Sequence, residues 1–181
     1  MISHDEVFED FIKLANEHLV RSYEYFFLSA QFGTYSKDRP GFEKILHGLS
    51  DSAWNTGIDM IKKLNKRGGE HKFDIFPSNM QSENIGDSNE MEALGKAVDI
   101  EKNILDQAQT IHRRHSHATY KDSLSINYDA DLAHYLEEEI IEGKTETLRN
   151  LVGHVNDLKK LKKNSSIFPM SLYLFDQYLQ K

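Results

Sequence analysis

Apolar residues recur at steps of three and four through four long stretches of this chain, and almost nothing that stops a helix lies inside them. Only 3 Pro occur in 181 residues. Proline removes an intrahelical hydrogen bond and clashes with the preceding turn, so its scarcity leaves long helices open almost everywhere. Phe8, Phe11, Ile12, Ala15, Leu19, Tyr23, Phe27 and Ala30 predict one stripe of a first amphipathic helix over about 4–35. Pro40 suits the first turn of a second helix over about 40–67, with Asp38 as its cap. Its stripe is Phe42, Ile45, Leu46, Leu49, Ala53, Met60, Ile61 and Leu64, and Gly68-Gly69 ends it behind Lys66 and Arg67.

From Glu70 to Gly86 the pattern dissolves into Asn, Ser, Gly, Asp and Pro77, with Phe73, Ile75 and Phe76 as anchors. Two antiparallel neighbours need only a few linking residues, so so long a connection implies a crossover along the bundle. Asp87 with Glu90 reads as a capping box for a third helix over about 88–117, carrying Met91, Leu94, Val98, Leu105 and Ala108. A fourth, over about 130–163, carries Leu132, Leu136, Ile140, Leu148, Leu151, Val155, Leu158 and Leu161. Ser165-Ser166 and Pro169 break it, and a short fifth helix over about 168–179 carries Leu172, Phe175 and Leu179. The expected fold is all-α: one domain over 1–181, a four-helix bundle with a long crossover between helices two and three and a short C-terminal helix.

Charged residues are 28% of the chain and the hydrophobic set 39%, a balance that fits a packed globular protein. The net charge of -7 gives no reason to expect nucleic acid and makes cations the natural small partners. No apolar run is long enough to span a bilayer. Cys is absent, so any bound metal would use carboxylates, histidines, carbonyls or water. The missing Cys and the missing signal peptide point to the cytoplasm.

Two polar residues interrupt the apolar stripes. Glu101 stands between Val98 and Leu105, and Lys144 between Ile140 and Leu148. A buried charge is costly unless it is paired or bound to metal. Helices three and four should be antiparallel neighbours, so a Glu101–Lys144 ion pair inside the bundle is the simplest resolution. The alternative is that both sit at the stripe's edge and reach water.

At this point the residues resemble a family. Leu19-Val20-Arg21-Ser22-Tyr23-Glu24-Tyr25 with Leu28-Ser29 looks like the first helix of ferritins. Asp59-Met60-Ile61-Lys62-Lys63-Leu64-Asn65-Lys66-Arg67-Gly68-Gly69 is similar to the end of their second, and Ile100-Glu101-Lys102-Asn103 to part of their third. Tyr135-Leu136-Glu137-Glu138-Glu139 and Gly153-His154-Val155-Asn156-Asp157-Leu158 resemble the fourth, and Leu172-Tyr173-Leu174-Phe175-Asp176 the tail helix. Ser50-Asp51-Ser52-Ala53-Trp54 and the ending Asp176 to Lys181 look most like insect light-chain ferritins.

The resemblance implies a hollow shell of twenty-four subunits storing iron as a mineral, built from this chain alone or with heavy-type subunits. Heavy-type chains hold a di-iron ferroxidase centre. Laid on this sequence, its ligand positions are Val20, Ala53, Thr56 and Glu101, with Phe27 at the Tyr position and Lys144 at the Gln position. Only Glu101 is retained, which implies a non-catalytic, light-type subunit without a catalytic cofactor. The inner surface of helix two, where light chains carry nucleating acids, here offers Asp51 and His47. His134 and Glu137 fall where ferritins line a threefold iron channel, and Leu172, Phe175 and Leu179 where the tail helices meet. The likeness to insect chains makes the secretory pathway the alternative to the cytoplasm.

Three further readings stay open. His112, His115 and His117 form either a borderline-metal pair or a solvated helix end. A shifted di-iron set of Glu24, Glu101 and His112 would make the chain an enzyme. A metal-free helical interaction protein would need none of these residues.

Overall fold

The computed structural model describes residues 4–68, 88–116, 129–163 and 166–181. The crossover anchors, Asp87 and His117 lie outside the described residues. Every described element is helical. Helix α1 spans His4–Phe32, α2 Pro40–Lys66 and α3 Glu90–Ser116. A fourth rod, α4, is continuous through Ala130–Tyr135, a π-helical stretch Leu136–Glu142, and Gly143–Lys162. The tail helix α5 is Phe168–Leu179. No described helix is long and apolar enough to cross a membrane.

The first helix ends at Phe32, three residues before the expected end. Thr34 accepts the amides of Lys37 and Asp38 in a tight turn, and Arg39 N donates to Phe32 O at 3.0 Å. α1 and α2 pack as an antiparallel pair so close that a Cβ on Gly57 would come within 3.1 Å of the Ala15 carbonyl oxygen. The ends of the helices fix the topology. Arg67, just past α2, forms ion pairs with Asp129 and Asp131 at the start of α4, and Lys63 reaches Asp131 at 2.8 Å. The start of α3 sits at the opposite end, where Arg39 reaches Glu90 at 3.1 Å and Lys37 donates to the Ser88 carbonyl at 2.7 Å. The 27 residues of α2 make those ends roughly 40 Å apart. The chain therefore leaves at one end of the bundle and re-enters at the other, as a crossover requires.

Two caps differ from the sequence expectation. Asp38 does not cap α2; its backbone sits at φ 46 and no side chain of its own segment serves that helix. The cap comes from the tail helix. Asp176 Oδ1 accepts from Gly41 N at 2.9 Å and Phe42 N at 3.1 Å, while Gln180 holds Oδ2 at 3.1 Å. The capping box of α3 is Asn89 with Glu92: Glu92 N donates to Asn89 Oδ1 at 2.9 Å, and Asn89 N to Glu92 Oε2 at 3.3 Å.

The core forms two connected clusters along the bundle. One gathers Phe11, Leu14, Leu19, Met60, Leu64, Ile104 and Leu136. The other gathers Tyr25, Phe32, Phe42, Leu46, Leu94, Leu151 and Leu158, and it includes Leu172, Phe175 and Leu179 of α5. Those three tail residues were expected to form an intersubunit face. They are buried in their own chain instead, with Phe175 against Phe42 at 6.0 Å between ring centroids. The outward face of α5 is Met170, Tyr173, Leu174 and Tyr178, continued by Ile167.

The π-helical stretch keeps α4 in register. Leu132, Leu136, Ile140 and Lys144 are all buried at four-residue steps. In a regular α-helix each such step drifts about 40° around the axis. The wider turns of Leu136–Glu142 absorb that drift, so Lys144 arrives inside the bundle.

Candidate functional site

Four elements converge on one buried polar cluster at mid-bundle. Glu101 of α3 is 0% exposed and Lys144 of α4 is 6% exposed. Lys144 Nζ lies 3.1 Å from each carboxylate oxygen of Glu101 and donates its hydrogen bond to Oε1; Oε2 has the charge beside it but no aligned donor. The ion pair suggested by the two broken stripes is present. Tyr25 of α1 completes it by donating its phenol to Glu101 Oε1 at 2.8 Å, with the Ala97 carbonyl oxygen at 3.3 Å. Burial, then the neighbouring Glu101 charge, push the Tyr25 phenol pKa well above its ordinary value, so Tyr25 remains a donor. α2 faces the bundle interior with Ala53, which is buried, and with the half-buried Thr56.

His18, two turns before Tyr25 on α1, is also fully buried. Its Nδ1 lies 2.9 Å from Leu14 O and its Nε2 has no partner. Burial and the Lys144 charge lower its pKa from 6.5 to about 4, so the ring is neutral at pH 7.

The inward positions of α1 are therefore His18 and Tyr25 rather than Val20 and Phe27. Val20 is only partly buried, and Phe27 is 44% exposed, edge-on to Phe26. The expected stripe followed apolar residues through Ala15, Leu19, Tyr23 and Phe27 in four-residue steps, which drift around the helix. The real stripe runs through polar side chains that satisfy themselves on the helix's own carbonyls. Ser22 Oγ donates to Leu19 O at 2.6 Å and Ser29 Oγ to Phe26 O at 2.7 Å. Mixed steps of three and four through His18, Ser22, Tyr25, Ser29 and Phe32 were the signal that could have located it.

Chemically the cluster offers one carboxylate, already engaged by an ammonium and a phenol, one neutral imidazole and no second acid. Among the described residues no three His, Asp or Glu side chains are grouped to hold a metal ion. The shifted set of Glu24, Glu101 and His112 does not converge. Glu24 pairs with Arg21 at 2.7 Å, and His112 lies 3.8 Å from Glu137.

The surface candidates resolve into pairs. His47 Nδ1 lies 3.3 Å from Asp51 Oδ2, both exposed on α2. His134 pairs with Glu138 at 3.2 Å rather than with Glu137. His112 and His115 part company, since His115 is buried with Nε2 3.3 Å from Asp10. Trp54 lies edge-on to Tyr23 at the rim of the α1–α2 pair.

No family model matches the sequence. Individual proteins do. The chain is 41% identical over 184 residues to a ferritin light chain of Trichoplusia ni, covering 99% of this chain and 77% of that protein. It is 38% identical over 175 residues to a ferritin light chain of Drosophila melanogaster, covering 92% and 72% respectively. Its fold is similar to the crystal structure of Trichoplusia ni secreted ferritin, with a TM-score of 0.83 and 39% identity over 96% of this chain and 82% of that one.

Proposed function

The chain belongs to the ferritin family, and from that premise we propose that it is a light-type subunit that builds an iron-storage shell without oxidising iron itself. The observation that carries the reading is the state of Glu101. Its carboxylate is held by Lys144 and Tyr25 in a space where Ala53 and Thr56 add no acid and no imidazole. Two iron ions bound side by side need several oxygen donors and a bridging carboxylate. Here a fixed positive charge occupies the region that a cation would need. Iron is the cargo, and a heavy-type partner chain supplies the oxidation.

The remaining sites fit that role with different weight. The exposed Glu137, beside His112, would contribute a carboxylate to a threefold entry channel, with His134 paired to Glu138 one turn away. Asp51 with His47 would give the storage surface a modest mineral contact, and Asp51 is the one acid among Lys44, His47, Gly48 and Asp51. The outward apolar side of α5 fits subunit packing. The likeness to a secreted ferritin favours the secretory pathway over the cytoplasm as the working location.

The test is ferrous oxidation by the purified full chain. The expected rate equals that of buffer, while addition of a heavy-type partner gives fast oxidation and a mineral retained in the mixed shell. Rapid saturable oxidation by the chain alone, lost in Glu101→Ala, would overturn the reading.

A further inference from the structure

His18 has its two ring nitrogens in different situations. Nδ1 sits 2.9 Å from the Leu14 carbonyl oxygen, which only accepts, so Nδ1 carries the proton and donates it. Nε2 is then the bare nitrogen, buried and without a partner. A proton arriving there makes an imidazolium whose new N–H has nothing to point at. The groups packed around it cannot relieve that. α3 contributes Glu101, whose carboxylate is already engaged by Lys144 and Tyr25. α4 contributes Lys144, a charge of the same sign. The buried side of α2 carries Ser50, Ala53, Gly57 and Met60 in this region and no titratable group. The other buried ionisable side chains are occupied elsewhere, His115 with Asp10 and Asp176 at the start of α2.

From these contacts we infer that His18 is an acid-sensitive switch in the bundle: protonation of Nε2 sets two buried cations against one carboxylate and loosens the packing of α1 on α3 and α4. Burial, reinforced by Lys144, supports this by lowering the imidazole pKa to about 4 from 6.5. Between those values the unfolded chain binds a proton that the folded chain refuses. Stability therefore rises with pH through the window and is lost as pH falls from 6.5 toward 4. The switch is silent at neutral pH and operates in mild acid, independently of any iron chemistry.

Denaturant unfolding of the full chain in its native assembly, repeated at pH 7, 6, 5 and 4.5, tests it. In the wild type the folded-to-unfolded ratio should fall about tenfold per pH unit below 6.5 through this one proton, over whatever the surface groups contribute. His18→Gln should lower that slope by about one proton. Equal slopes in His18→Gln and the wild type would overturn the proposal. Should His18→Gln fail to fold, hydrogen exchange of the wild type decides. Residues 14–25, 97–105 and the turn around Lys144 should lose protection between pH 7 and pH 5, while the junction of α5 with α2 keeps it. Uniform loss, or none, would overturn the proposal.

Discussion

Glu101 is engaged on both sides, by the Lys144 ammonium 3.1 Å away and the Tyr25 phenol 2.8 Å away, and none of its surface reaches water. Desolvating two charges costs several kcal/mol each, so the pair as a whole adds little stability, while breaking it on one side is expensive. Lys144→Met should cost about 3–5 kcal/mol, because Glu101 would then be buried with only Tyr25 as a partner. The double change Glu101→Leu with Lys144→Met should recover the loss and exceed the wild type by about 1–4 kcal/mol. Tyr25 would keep the Ala97 carbonyl as its acceptor. Guanidinium unfolding reads both, and simple addition of two single-mutant losses in the double mutant would refute the coupling. The phenol makes a separate prediction. Burial and Glu101 raise the Tyr25 pKa, and burial raises that of Tyr135 from 10.0 to about 12. Above pH 10 the unfolded chain releases protons that the folded chain retains, so stability should fall as pH rises through 10. Tyr25→Phe should flatten part of that fall in an alkaline unfolding series.

Among the elements, the tail helix is joined to the bundle by its buried apolar side and by the carboxylate of Asp176. Asp176 answers two of the unpaired amides at the start of α2, where the helix dipole also favours a negative charge. The approach is so close that a Cβ on Gly41 would clash with the Asp176 carbonyl oxygen. Asp176→Ala should cost about 1–2 kcal/mol for the lost cap. It should also raise amide exchange in α5 while the midsections of α1 and α3 stay protected. Phe175→Ala should cost more, about 3–5 kcal/mol, by opening a cavity beside Phe42. Equal protection of α5 in Asp176→Ala and the wild type would show that apolar contacts alone hold the tail. The extents of the helices were legible in the sequence because the stripes and breakers are local. The caps were not. Asp38 lies next to α2 in sequence, yet a carboxylate 135 residues away reaches Gly41 N.

For the whole molecule, the apolar residues of α5 divide between two jobs. Leu172, Phe175 and Leu179 close the chain's own core, leaving Met170, Tyr173, Leu174 and Tyr178 facing outward. Outward apolar side chains in a cluster mark a contact with another chain. Leu174→Asp should leave unfolding of the bundle within about 0.5 kcal/mol of wild type, yet shift the assembly to smaller species in sedimentation velocity. An unchanged assembly would remove this face from the subunit contacts. The ring of ion pairs joining Lys63 and Arg67 to Asp129 and Asp131 lies at the opposite end of the bundle, so that end closes on side-chain charge instead.

The helical class, the number and order of the rods, the crossover and the two charges on apolar stripes were all legible in the order of residues. Each of these follows from spacing along the chain, because a helix repeats every 3.6 residues and a buried charge stands out against that period. Which face of α1 turns inward was settled by packing, since His18, Ser22 and Ser29 look like surface residues until their hydrogen bonds to the helix's own carbonyls are seen. The same limit explains Lys144. Its place inside the bundle depends on the wide turns of Leu136–Glu142, and whether a helix winds that way is settled by what its side chains meet across the interface. Glu101 and Lys144 announced an internal ion pair from sequence, but the oxidation-centre positions read as Val20 and Phe27 proved to be a shift of two residues away from the cluster that the fold assembles around Glu101.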